Sequence, residues 1–129
     1  MNCKHGLRYG FMKETLLVAR AKAFSVEIIE LCEDLFKRKK ATPIINQLLR
    51  SGTSIGANIH EANYAASRAD FINKFQIALK ECCETGYWLE VFHDATIIDD
   101  AEFEKFYTNC SKIRKMLTTS ITTAKNNSD

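Results

Sequence analysis

Proline occurs once in this 129-residue chain, at Pro43, and glycine only five times, so few points exist at which a regular backbone must stop. No apolar run is long enough to span a bilayer as a helix. The early stretch Leu16-Leu17-Val18 is flanked by Lys13, Glu14 and Arg20, which does not fit an export signal. A large excess of either charge is also missing. The net charge is +2, whereas dedicated nucleic-acid binders usually gain affinity from a strong basic balance. Five cysteines are present, yet no CxxC pair, which removes zinc-finger and thioredoxin-type readings. Without export the thiols are expected to stay reduced and to pack as small apolar groups. These absences predict a single cytoplasmic domain with no membrane partner.

What is present is helical spacing. Apolar residues recur in steps of three and four nearly throughout. A first stripe runs Leu17, Ala21, Phe24, Ile28, Leu31, Leu35 and ends at the basic run Lys37-Arg38-Lys39-Lys40. Thr42-Pro43 reads as a helix start, followed by Ile45, Leu48, Gly52, Ile55, Ile59, Ala62, Ala66. Ser67 with Asp70 marks a third start, before Phe71, Phe75, Ala78, Cys82 and Leu89, with an end near His93. Asp99 or Asp100 caps a fourth stripe of Phe103, Phe106, Cys110, Ile113, Leu117, Ile121, Ala124. Three short connections between four long helices predict an all-α, antiparallel, up-down-up-down four-helix bundle. Gly6 and Gly10 set residues 1–12 apart as a flexible basic arm. The bundle is expected over 13–125 and a frayed tail over 126–129.

Sequence patterns for catalysis and metal binding are incomplete. Ser51-Gly52-Thr53-Ser54-Ile55-Gly56 lacks the Gly-Lys-Ser/Thr ending and the preceding strand of a phosphate loop. Gly52 and Gly56, four apart, instead offer a flat patch where helices cross closely. His60-Glu61 opens like a helical zinc-protease motif, but Tyr64 stands where the second histidine belongs. Glu90-Val91-Phe92-His93 is a single Glu-x-x-His where a di-iron bundle site needs two, and no strand-turn-helix context of a nucleophile elbow surrounds any serine or cysteine. The expectation is a non-enzyme without metal, cofactor or small-molecule substrate.

Two polar features remain. Gln47, Ser51, Ser54, Asn58, Glu61 and Arg68 form a line of mostly short hydrogen-bonding groups on the second helix and just beyond it. They make either an ordinary wet face or a subunit or partner interface, with Ser54, Asn58, Glu61 and the aromatic Trp88 as its candidates. The basic run at Lys37, Arg38, Lys39 and Lys40, with Arg50 and Arg68, forms the candidate phosphate-contacting set. Its plainer reading is a solvated helix end. Lys112, Arg114 and Lys115 make a further basic cluster on the fourth helix.

Two stretches are more specific than periodicity explains. Arg50-Ser51-Gly52-Thr53-Ser54-Ile55-Gly56-Ala57-Asn58-Ile59 with Glu61-Ala62, and Asp70-Phe71-Ile72, Lys74, Ile77-Ala78-Leu79-Lys80-Glu81, Glu84-Thr85 and Tyr87-Trp88-Leu89, resemble the four-helix bundle family known from proteins encoded in 23S rRNA intervening sequences. The resemblance covers roughly Ala23 to Lys125. It implies a homopentameric ring, the assembly of structurally known members. It also implies kinship with accessory proteins of diversity-generating retroelements, in which a basic barrel binds nucleic acid and a reverse transcriptase. The expected function is therefore a non-enzymatic, homo-oligomeric binding or scaffold subunit that engages RNA or a nucleic-acid-handling complex. The alternative is a protein-protein scaffold that binds no nucleic acid. In departure from the retroelement branch, Glu27, Glu30, Glu33 and Asp34 make the first helix acidic before its basic end.

Overall fold

The computed structural model describes residues 11–38, 40 and 42–127, and their side chains apart from 11–15 and 42. Four helices account for nearly all of them: α1 (Phe11–Lys37), α2 (Thr42–Ala62), α3 (Arg68–Asp94) and α4 (Asp100–Asn126). Of the arm expected over 1–12, residues 1–10 lie outside the described residues, and Phe11 and Met12 already belong to α1. At the other end α4 runs to Asn126, and Ser128 and Asp129 lie outside the described residues.

Local chemistry explains where the helices start. The Ser67 hydroxyl accepts from Asp70 N at 3.1 Å, and the Asp70 carboxylate reaches back to accept from Ala66 N at 3.3 Å. Asp99, rather than Asp100, caps α4. Its carboxylate accepts from Glu102 N at 2.8 Å, and the Glu102 carboxylate accepts from Asp99 N at 3.1 Å, a reciprocal capping box. The end of α3 is set by Thr96, whose φ of 56° lies in the left-handed region. Ile97 N bonds Phe92 O at 2.8 Å and Thr96 N bonds His93 O at 3.0 Å, the pairing of a Schellman stop. A β-branched residue in that conformation is strained, and glycine would relieve it.

Contacts between helices run in opposite residue order, which fixes the antiparallel arrangement. Across α2 and α3, Arg50 meets Glu81 and Glu84 while Glu61 meets Lys74. Across α3 and α4, His93 meets Asp100 while Cys82 meets Cys110. Across α1 and α2, Ile28 lies at Gly52 and Ala21 at Gly56. Among the described residues each helix packs on its neighbour in sequence and α4 returns to α1, while the backbones of diagonal pairs stay further apart. This is the up-down-up-down bundle.

The expected stripes form the core, including the fully buried Leu17, Phe24, Ile28, Leu35, Ile45, Leu48, Phe71, Phe75, Leu89 and Leu117. At the end of α2 the buried residue is Ala65, and Ala66 faces solvent. Helix α2 ends at Ala62, and the tighter turn that follows, with Ala65 N bonded to Ala62 O, shifts the register by one residue. Phe103 is only partly buried, stacked between His93 (4.5 Å) and Tyr107 (5.0 Å). The two α2 glycines admit α1 as expected. A Cβ on Gly52 would lie 2.9 Å from Ile28 Cγ2, and one on Gly56 would lie 3.1 Å from Ser25 Oγ and 3.3 Å from the Ala21 carbonyl oxygen.

Candidate functional site

Among the described residues the candidate cations do not gather into one patch on the chain. Lys37 and Lys40 are exposed where α1 gives way to α2, and Lys39 lies outside the described residues. Arg38 sits between carboxylates, 2.7 Å from Asp34 and 3.5 Å from Glu102, tying the end of α1 to the start of α4. Arg68 opens α3 at the opposite pole, separated from the Lys37 end by the length of α2, about 30 Å for its 21 residues. Its Nε and Nη2 atoms are shielded from solvent.

Arg50 is the most committed of the set. Its Nη1 lies 3.1 Å from one Glu81 oxygen, its Nη2 lies 3.3 Å from the other, and Nη2 also bonds Glu84. Trp88 Nε1 then donates to the same Glu84 oxygen at 3.2 Å. The Arg50 guanidinium, helped by the Trp88 indole, holds the Glu84 carboxyl below its usual range despite the opposing effect of burial. A guanidinium engaged in this way makes a poor phosphate ligand, because binding an anion would first cost it two carboxylate partners.

The short polar line on α2 divides in two. Ser54 Oγ donates to Arg50 O at 2.6 Å and Asn58 Nδ2 donates to Ser54 O at 2.8 Å, so both half-buried groups bond their own helix. Glu61 is exposed and pairs with Lys74 at 3.3 Å. Ser51 does not belong on this face. It is fully buried; Thr85 Oγ1 donates to Ser51 Oγ at 3.1 Å and Ser51 donates to Leu48 O at 3.3 Å. Trp88 is half-buried beside the core, and Tyr87 next to it is exposed. Arg50, Glu84 and Trp88 thus form one connected network on the α2/α3 seam, near Ser54, while Asn58 and Glu61 lie one and two turns further along.

A different region carries the unfinished surface. The seam between α1 and α4 is the thinnest of the four and opens into a groove of about 450 Å³ lined by Glu27, Glu30, Asp34, Glu102, Lys105 and Phe106, among others. On the outer half of α1, Leu16, Val26 and Ile29 stand 54%, 51% and 42% exposed. Sequence reading passed over Val26 and Ile29 because the buried stripe of α1 already accounted for helical spacing. The three spread over about 140° of the helix, so no second periodic line marked them. Among the described residues no group of three or more His, Cys, Asp or Glu side chains is placed to hold a metal ion. Nor is any described helix long and apolar enough to cross a membrane.

A sequence-ordered, antiparallel bundle with close α1/α2 packing at paired glycines places the chain among four-helix bundle proteins. The profile of the 23S rRNA-intervening sequence protein family matches residues 13–119, and the chain belongs to that family. A similar solved structure is a protein of unknown function from the S23 ribosomal protein family of Bacteroides thetaiotaomicron. It is 43% identical, covers 85% of this chain and 98% of its own length, and superposes with a TM-score of 0.83. No curated protein matches the chain.

Proposed function

We propose that this chain is a non-enzymatic binding subunit that works as a homo-oligomer and engages RNA, or a complex that handles it, through the basic ends of α1. The observation that carries the assembly is the exposure of Leu16, Val26 and Ile29 on the outer half of α1, on a chain whose α1/α4 seam also stays open as a groove. Three large apolar side chains on one side of one helix mark a surface suited to a protein contact. A second copy is the proposed occupant because structurally known members of the resembled family form homopentameric rings.

Assembly would also supply what one subunit lacks. A single chain offers the exposed Lys37 and Lys40 at one pole, with Arg38 partly neutralised and Arg50 held by Glu81 and Glu84. A ring repeats that pole around one rim and raises the local potential without raising the charge per chain. Contacts of this kind neutralise phosphates and read no base, so affinity must fall as salt rises. The test is fluorescence anisotropy with a labelled structured RNA at low and at physiological salt. The reading expects binding at low salt that collapses at high salt and is lost in a Lys37→Glu/Lys40→Glu double variant. Binding that ignores salt, or no binding at low salt, contradicts it.

The pairing of Arg50 and Arg38 with carboxylates favours a second reading, a protein-protein scaffold that binds no nucleic acid. In that case the α1 substitution Val26→Glu abolishes partner binding while reversal of Lys37 and Lys40 changes nothing.

A further inference from the structure

Cys82 on α3 and Cys110 on α4 are both buried, and they face each other across the seam between these helices. The Cys110 thiol lies 3.5 Å from the Cys82 carbonyl oxygen, so its sulfur already touches the backbone of the opposite residue. Gly86, one turn along α3, faces the Tyr107 ring on α4, where a Cβ would make ordinary contact at 3.7 Å. Although nearly closed to solvent, both cysteines line a surface cavity of about 240 Å³, together with Cys83, Glu90, Tyr107 and Arg114. All the described cysteines are free thiols, and Cys32 is the contrasting case, isolated in the core with its sulfur 4.0 Å from Ile45 O.

We infer that Cys82 and Cys110 form a dithiol site for a small hydroperoxide, which converts the pair to a disulfide joining α3 to α4. The cavity that both residues line is the route for the oxidant, and Arg114, one helical turn beyond Cys110, supplies the positive charge that favours a thiolate. The Cys82 thiol, hydrogen-bonded to Cys110, lowers the Cys110 thiol from its ordinary range against the effect of burial, and Arg114 adds to the lowering. The same contact, with burial, raises Cys82. Arg114, on the same helix as Cys110 and in the same cavity wall, makes Cys110 the nucleophile and leaves Cys82 as the resolving thiol. The Cys110 thiolate attacks one peroxide oxygen: an S–O bond forms, the O–O bond breaks, and the departing hydroxide or alkoxide takes up the proton that Cys110 released. The Cys82 sulfur then attacks the sulfenic sulfur; the S–S bond forms, the S–O bond breaks, and the hydroxide leaves as water with the Cys82 proton. Two electrons pass from the sulfurs to the peroxide oxygens. Cys32, buried in the core with its thiol pushed up to about 12 by that burial, stays reduced.

The experiment uses the reduced full chain treated with hydrogen peroxide, followed by alkylation of remaining thiols and peptide mapping by mass spectrometry. The expected product is a cross-linked peptide pair joining Cys82 to Cys110, with Cys32 alkylated. Formation persists in Cys83→Ser, is abolished in Cys110→Ser, and slows in Arg114→Gln. The oxidised protein melts at a higher temperature than the reduced one, and dithiothreitol reverses the difference. Recovery of both Cys82 and Cys110 as alkylated thiols overturns the inference, as does a bond that uses Cys83 instead of Cys82. Because mapping reads the unmodified chain, a variant that folds poorly does not blunt the test.

Discussion

Helix α2 and the α1/α4 seam handle the same problem, one helix face meeting another, in opposite ways. Against α1, helix α2 closes to van der Waals contact at Gly52 and Gly56. Against α3 it adds the buried Ser51–Thr85 hydrogen bond and the Arg50–Glu81–Glu84 ion pairs. The α1/α4 seam instead holds the aromatic contact of Phe24 on Phe106 at 6.3 Å and the Glu27–Lys105 pair at 3.3 Å, and leaves a groove, while the outer half of α1 exposes apolar side chains. One region has completed its packing within the chain. The other reads as surface left for a partner, and substitutions should separate the two.

The largest loss of stability is expected at the closed side. Gly52→Ala places a methyl group 2.9 Å from Ile28 Cγ2 inside a packed core, and overpacking of this kind costs about 1–3 kcal/mol. Denaturant unfolding should show the midpoint fall by that amount. If Gly52→Ala leaves the midpoint unchanged, α1 and α2 are not locked together here.

Next comes Thr85→Val, which removes the hydroxyl donor to Ser51 and leaves Ser51 its bond to Leu48 O. The expected cost is about 1 kcal/mol, typical of a net intramolecular hydrogen bond, again read from denaturant melts.

The Arg50 network should contribute less, because the guanidinium is 48% exposed and Glu84 36% exposed. Arg50→Gln is expected to cost well under 1 kcal/mol at neutral pH. Its pH signature has a definite sign. The Glu84 carboxyl is lowered in the folded state from 4.5, so its contribution is present above that pH and is lost as pH falls through the folded value. The difference between wild type and Arg50→Gln should therefore shrink on acidification below the ordinary carboxyl value of 4.5. A difference that grows there would contradict the pairing.

The smallest expected change in folding stability is the most informative. Val26→Glu alters a side chain that is half exposed, so its effect on the unfolding midpoint should stay within about 0.5 kcal/mol. On the proposed assembly the same change places a charge in the centre of an apolar contact and breaks the oligomer.

The same contrast marks how far sequence alone could reach. The core stripes and the starts of α3 and α4 were legible because helical period and capping are local. Ser51 was misplaced because its position projects only about 20° from buried Ala62, at the edge where polar and apolar arcs meet. The pairing of Arg50 with Glu81 and Glu84, more than thirty residues away, depends on the register of two helices and has no local signature. For that reason Arg50 read as an available cation. Nor could the sequence pair Cys82 with Cys110, since each fitted its own apolar stripe.

The most direct test of the account is the molar mass of the wild-type protein in solution, measured by light scattering alongside Val26→Glu. The account predicts about five times the chain mass of 14.7 kDa for the wild type and a collapse toward the single-chain mass for the variant. A wild type that elutes as a folded single chain would contradict the proposal that the open α1 surface is an assembly surface.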